Sequence, residues 1–230
     1  MDLSSIFRFS DMVEYFPKIL SRFPVTLLIV VVSVAGGLVL GFILAAARIF
    51  KIPVLKELAA LYISFVRGTP ILVQLFVVYY GLPLLVAPLG MDINHWSKLF
   101  FVLVTYLLND GAFMSEIIRS SIESVPKGQL EAAASVGLTT FQTYKRIIIP
   151  QAFKNVLPTL CNEFISLLKE TSVSGYIALQ DLTKGGDIIR SRTYDAFMPL
   201  IAVALIYLAM VMIFTKLVSL LERRLRNSDH

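Results

Sequence analysis

Residues 23–47 read FPVTLLIVVVSVAGGLVLGFILAAA, 25 positions without a charge, bounded by Arg22 and Arg48. A helix needs about 20 apolar residues to cross the hydrocarbon core of a bilayer, so this run predicts a membrane span. It is too long for the apolar part of a signal peptide, and no small-residue cleavage site follows it. Outward from it, Gly68–Met91 is a second uncharged run, extended backwards through Leu58–Val66. Leu99–Ser115 is a third, interrupted by Asp110, and Ala196–Thr215 is the last. Val156–Ile177 is apolar but holds Glu163, Lys169 and Glu170, the pattern of a span that faces protein interior rather than lipid. The expected architecture is all-α: five transmembrane helices at about 20–48, 57–88, 98–119, 150–178 and 195–222, with a loop at about 121–149, in a single domain. Composition agrees, with 57% hydrophobic and 16% charged residues against about 25% charge in a soluble domain.

Lys and Arg set the orientation. With the N-terminus outside, the inner segments 48–58, 119–154 and 216–230 carry twelve basic residues, and the outer segments 1–24, 82–98 and 180–195 carry seven. This places the C-terminus and the 121–149 loop in the cytoplasm, and it explains the net charge of +5 without nucleic acid as a partner. The first segment, with Phe7, Phe9, Tyr15 and Phe16 among charges, is expected along the outer surface as an amphipathic helix. Gly37 and Gly41 form a GxxxG pair, a spacing that lets helix backbones approach closely; ordinary packing within the chain is the expected use.

Several chemistries are disfavoured. No Gly-Lys dipeptide occurs, so there is no phosphate-binding P-loop, and an ATP-driven process would need another chain. The two histidines, His95 and His230, lie in an outer loop and at the C-terminus, so no intramembrane His base or His metal ligand is expected. One cysteine, Cys161, excludes an intramolecular disulfide framework. Gly185-Gly186-Asp187 reads as a turn in a solvated outer loop.

The 121–152 segment is unusual. Ser124 and Pro126 signal a helix start. Gln129-Leu130-Glu131-Ala132-Ala133-Ala134-Ser135 follows, Gly137 interrupts, and Thr139 or Thr140 caps a second helix that is expected to run to Pro150. A short helix with small side chains and a projecting Glu131 suits either a groove in another protein or this chain's own bundle. Glu131-Ala132-Ala133, then Gly137, then Ile147-Ile148-Ile149-Pro150 resembles the EAA loop of binding-protein-dependent ABC importer permeases. Arg67-Gly68-Thr69-Pro70 with Gln74-Leu75-Phe76, Ser115-Glu116-Ile117-Ile118-Arg119, Gly128-Gln129, Pro150-Gln151-Ala152 and Leu168-Lys169-Glu170-Thr171-Ser172 resemble the polar amino-acid subfamily, which serves histidine, glutamine, arginine and cystine. Asn109-Asp110-Gly111 departs from the subfamily by placing an acid where a neutral residue is more usual.

The resemblance implies a type I ABC importer permease fold, no catalysis in this chain, and a prokaryotic cytoplasmic membrane. It implies cytoplasmic ABC ATPase subunits that bind ATP and Mg, an extracytoplasmic solute-binding protein, and a second permease copy or a relative. No cofactor is expected in this chain. Gln129, Glu131, Ala132, Ala133, Gly137 and Pro150 become ATPase-coupling residues, with Pro150 setting the angle between the docked helix and the fourth span. The costly intramembrane polar groups indicate a substrate path of Gln74, Asn109, Asp110, Asn162, Glu163, Lys169, Thr171 and Ser172, with Asp110 and Glu163 meeting an ammonium. Arg67 and Glu116 are expected near the cytoplasmic end, where a salt bridge would also account for them. Phe76–Pro83 and Ile189–Thr193 look most like cystine-uptake permeases; arginine, glutamine or histidine are alternative cargoes. A passive oligomeric channel is the alternative from another class, and it leaves the EAA-like loop unexplained.

Overall fold

The computed structural model describes residues 9–195 and 197–227, and these form helices joined by short turns and loops, without a strand. In chain order the helices are α1 (Phe9–Leu20), α2 (Phe23–Ile49), α3 (Leu55–Gly68), α4 (Ile71–Phe76), α5 (Leu82–Val86), α6 (Lys98–Glu123), α7 (Lys127–Ser135), α8 (Thr140–Thr143), α9 (Ile149–Glu170), α10 (Leu182–Thr193) and α11 (Met198–Asn227). A π turn, Val77–Gly81, joins α4 to α5; another, Tyr144–Ile148, joins α8 to α9; a 3-10 segment, Thr171–Ile177, follows α9. Among the described residues, four helical stretches are long and apolar enough to cross a membrane: Asp11–Ile49, Ile71–Leu89, Lys98–Glu123 and Met198–Arg223. α9 has the length, 22 residues, but carries Lys154, Glu163, Lys169 and Glu170.

α2 and α6 form the most intimate pair, and the GxxxG spacing makes it. A Cβ on Gly37 would stand 2.5 Å from Oδ2 of Asp110, and one on Gly41 would stand 2.7 Å from Cβ of Met114 and 2.8 Å from the backbone N of Ser115. Only glycine admits so close a backbone approach, and the partner is a helix of the same chain. Around this seam a core gathers Ile29, Val30, Leu75, Val102, Tyr106, Leu168, Leu182 and Ile206.

Three expected boundaries differ. The second span is not one helix over 57–88: the chain breaks at Thr69-Pro70, where Thr69 is extended (φ −122°, ψ 145°). A proline ring disfavours helical backbone at the residue before it and supplies no N–H, so α3 stops at Gly68 and a new helix starts at Ile71. The fourth span does not stay α-helical to 178, because the backbone tightens into 3-10 turns after Glu170. Pro150 does not end a helix. The chain winds from Thr140 to Glu170 without interruption, and the wider π turn just ahead of Pro150 relieves the clash between its ring and the carbonyl one turn back.

At the other end, α1 packs on α10 and α11 with Tyr15 and Ile19 buried, so the amphipathic first helix covers its own bundle; Phe7 lies outside the described residues. Gly185-Gly186-Asp187 is not a loop turn but the middle of α10. Its two glycines are buried, and a Cβ on Gly185 would meet Arg22 Cγ at 3.2 Å. The helix covers α1 and α11 where a larger side chain would hold it off.

Candidate translocation path and coupling surface

The break at Thr69-Pro70 leaves backbone carbonyls without helical donors, and Gln74 supplies the donors. Its Nε2 donates to the carbonyls of Val66 (2.7 Å) and Thr69 (3.0 Å) and lies 2.8 Å from Thr69 Oγ1. Its Oε1 accepts from Nδ2 of Asn109 on α6 at 3.0 Å. Gln74 and Asn109, both expected on the substrate path, are therefore brought together, as a clamp that holds the broken helix against α6.

Asp110 is fully buried at the α2–α6 seam, and neither carboxylate oxygen has a hydrogen-bond partner among the described residues. Its side chain lies against Gly37; Ser33, one turn along α2 from Gly37, and Ser115 also bury unpartnered hydroxyls. A lone buried carboxylate is costly, and in this conformation no solute reaches it. Glu163 and Glu170 act on it electrostatically. These two lie seven residues apart, two turns along one face of α9, and Glu163 also feels Arg67. Arg67 stacks over the Phe113 ring, 5.5 Å from its centroid. Tyr106 donates to the Glu170 carbonyl at 2.6 Å, and Thr171 is buried with its hydroxyl on the Leu168 carbonyl at 2.7 Å.

The remaining path residues separate. Asn162 and Lys169 are exposed on α9. Ser172 lines a cleft with Tyr176, Thr183, Lys184, Asp187 and Arg190. There Asp187 accepts from Lys184 (2.7 Å) and Arg190 (2.5 Å), which hold its carboxyl below the usual range. Asp181 caps α10 by accepting from the Lys184 N–H at 2.8 Å, and burial pushes its carboxyl up to about 6. Sequence reasoning missed this α10 cluster as a unit. The signal was present in Asp181 ahead of Lys184, Asp187 and Arg190 at helical spacing.

At the opposite end of the seam, Glu116 accepts from Arg48 (2.6 Å) and from Arg119, and Arg119 also reaches Glu123. This ties the ends of α2 and α6 together; Glu116 pairs with these residues and not with Arg67. α7 stands beyond that end. Gln129, Glu131 and Ala132 are exposed, whereas Ala133 is buried, on the side where α7 meets α8 and the π turn. One face of α7 thus rests on the bundle and the opposite face is open. Gly137 follows with φ +80°, a left-handed backbone that glycine adopts without strain. Thr139 then opens α8 with a complete capping box to Gln142, and α8 passes through the π turn into α9 as one rod. Among the described residues, no three metal-ligating side chains cluster.

Residues 37–227, which contain the seam, the broken helix and the α7–α9 segment, match the family of binding-protein-dependent transport system inner membrane components. The chain belongs to that family. This permease is 38% identical over 216 residues to the L-cystine transport system permease protein TcyL of Bacillus subtilis, spanning 94% of this chain and 90% of that one. It is 39% identical over 222 residues to the arginine transport system permease protein ArtQ of the same organism, 96% and 98% of the two chains. A solved chain from an amino acid ABC transporter crystallised with histidines superposes with a TM-score of 0.86 at 40% identity, covering 95% of this chain and 99% of that one. The permease therefore has the type I ABC importer permease fold, is a multi-pass membrane protein, and is an amino-acid ABC importer permease.

Proposed function

We propose that this permease carries L-cystine across a prokaryotic cytoplasmic membrane, driven by ATP hydrolysed with Mg in cytoplasmic ABC ATPase subunits and supplied by an extracytoplasmic solute-binding protein. The observation that carries the coupling part is the shape of α7: a short helix open on the side of Gln129, Glu131 and Ala132, seated through Ala133, and joined across Gly137 to the α8–α9 rod. A docked helix with so stiff a continuation transmits a rigid displacement to α9 and so biases the spans between two states. The π turn ahead of Pro150, rather than a hinge at Pro150, sets the geometry of that rod.

The polar side of α9, with Asn162, Glu163, Lys169 and Glu170, cannot face lipid cheaply; a charge there costs about 2.5–3.5 kcal/mol or more. It faces a water-filled path shared with a second permease copy or a relative. On this reading, Asn162, Glu163 and Lys169 line the path, Ser172 lies at its outer mouth, and Gln74, Asn109 and Thr171 hold its walls. Asp110 meets cargo only if α2 and α6 part. The N-terminus outside and the C-terminus in the cytoplasm agree with the basic-residue bias. The TcyL relative and the Phe76–Pro83 and Ile189–Thr193 segments support cystine; the comparable identity to ArtQ makes arginine the competing cargo.

The test is uptake of labelled L-cystine into proteoliposomes holding the permease, its cognate ATPase and its binding protein, with and without ATP, against unlabelled arginine, glutamine and histidine. ATP-dependent accumulation resistant to those competitors is expected. Accumulation of arginine instead discards cystine and keeps the mechanism; equilibration without ATP favours a passive channel and discards both.

A further inference from the structure

Between α2 and the start of α9 lies a cavity of about 330 Å³ whose walls are almost wholly apolar. Leu38, Phe42 and Ala46 form one wall, Ala152 and Phe153 the other, and the tilted ring pair of Phe50 and Tyr144, centroids 5.4 Å apart, stands at one end. Along α2 the groove runs from Leu38 to Phe50, twelve residues or about 18 Å at 1.5 Å per residue, close to the roughly 15 Å depth of one leaflet of a ~30 Å core. It opens sideways, between two helices whose flanking Val39, Phe42, Ile43, Ile149 and Phe153 are exposed large apolar side chains. At its ringed end the character changes sharply. Lys51 follows Phe50, Lys145 and Arg146 follow Tyr144, all three are exposed, and none of them is in an ion pair among the described residues. On α6, which also lines the groove through Ile118 and Ile122, Glu116 and Glu123 are taken up by Arg48 and Arg119.

We propose that this groove holds one acyl chain of an anionic glycerophospholipid from the cytoplasmic leaflet, with its phosphate among Lys51, Lys145 and Arg146. The charge complementarity selects this occupant: an apolar slot one leaflet deep, ending in three cations at the level of the headgroups, fits a negatively charged lipid and no zwitterionic one equally well. Anionic headgroups attract each nearby basic side chain by about fivefold in affinity, an effect lost beyond the screening length. The inference rests on the inward orientation of these helix ends proposed above, and not on the cargo.

Native mass spectrometry of the purified, full-length permease titrated with dioleoylphosphatidylglycerol or dioleoylphosphatidylcholine tests it without any transport readout, so a failed uptake experiment leaves it untouched. One phosphatidylglycerol per chain is expected, retained at least tenfold more strongly than phosphatidylcholine, with the preference falling in high salt. The combined Lys51→Ala, Lys145→Ala and Arg146→Ala variant, changed only on the surface, is expected to lose that preference, by about a hundredfold at most. Ala46→Phe fills the groove and is expected to release both lipids, whereas Val31→Phe, exposed on the same helix beyond the Leu38 end of the groove, retains them. Equal retention of the two lipids by the unaltered chain overturns the proposal. So does unchanged retention by a folded Ala46→Phe variant, or a disulfide between two copies through Phe42→Cys, which would show a second permease covering the groove.

Discussion

The α2–α6 seam makes a quantitative prediction about two glycines that look equivalent in sequence. Replacing either with alanine adds one methyl group and, in an exposed helix, gains up to about 1 kcal/mol in helix propensity. At Gly41 the new Cβ falls 2.8 Å from the backbone N of Ser115 and 3.0 Å from the carbonyl carbon of Met114. Backbone cannot step aside, so α2 and α6 must separate along their length; overpacking of this kind costs about 1–3 kcal/mol. At Gly37 the obstacle is the Asp110 side chain, 2.5 Å away at Oδ2, which a substitution can remove. Gly41→Ala is therefore expected to destabilise the permease by about 1–2 kcal/mol net, and Gly37→Ala by a similar amount or less. Asp110→Ala removes the Oδ2 contact but keeps a Cβ 3.0 Å from the new methyl, so it should relieve Gly37→Ala in part and leave Gly41→Ala unrelieved. Thermal unfolding in detergent, followed by near-ultraviolet circular dichroism and by the monodisperse fraction on gel filtration, measures all six proteins of the two cycles. Because the Gly37–Asp110 contact is direct, that cycle should be non-additive while the Gly41–Asp110 cycle is close to additive. Additivity in both, or a Gly41→Ala protein as stable as the parent, would refute the close-packed seam.

Three further outcomes are expected. Gln74→Ala exposes the carbonyls of Val66 and Thr69 and strips Asn109 of its acceptor, at about 1–3 kcal/mol for a buried group left unpaired; Gln74→Glu, which cannot donate when ionised, should not rescue it, and limited proteolysis should quicken at 68–70. Asp181→Asn keeps an oxygen to cap α10 and removes a charge that burial disfavours. The folded-state carboxyl, at about 6, lies above its unfolded value of 3.8, so the parent's stability is greatest below 3.8 and is lost as pH rises through 6. The variant should therefore be the more stable at pH 7, by a few kcal/mol at most, with the gap closing toward pH 4 in thermal melts. Glu131→Arg changes an exposed side chain and should leave the unfolding free energy within about 0.5 kcal/mol of the parent, while ATP-driven uptake falls at least tenfold and ATPase co-purification weakens.

The apolar runs, the membrane class and the glycine pair were legible because each is a local pattern: a run of about 20 apolar residues has one cheap environment, and a proline or glycine restricts its own backbone wherever it sits. Even the break at Thr69-Pro70 was foreshadowed by its residues. What the local pattern did not contain was where a side chain ends up once helices from distant sequence meet. Gln74 reads as a polar group available to cargo, and only the fold shows its amide spent on carbonyls opened by Pro70 and on Asn109, 35 residues away. Asp110 reads as a ligand within a span, and only packing against Gly37, 73 positions earlier, shows it sealed from solute. Pro150 reads as a stop, and only the π turn before it shows the helix continuing into one rod. Ala133 is identical in type to Ala132, yet one is buried and the other open. Composition and periodicity determine which segments leave water, because that transfer is a property of the segment; partners, burial and path are decided by tertiary contact, because they depend on which two surfaces are brought face to face.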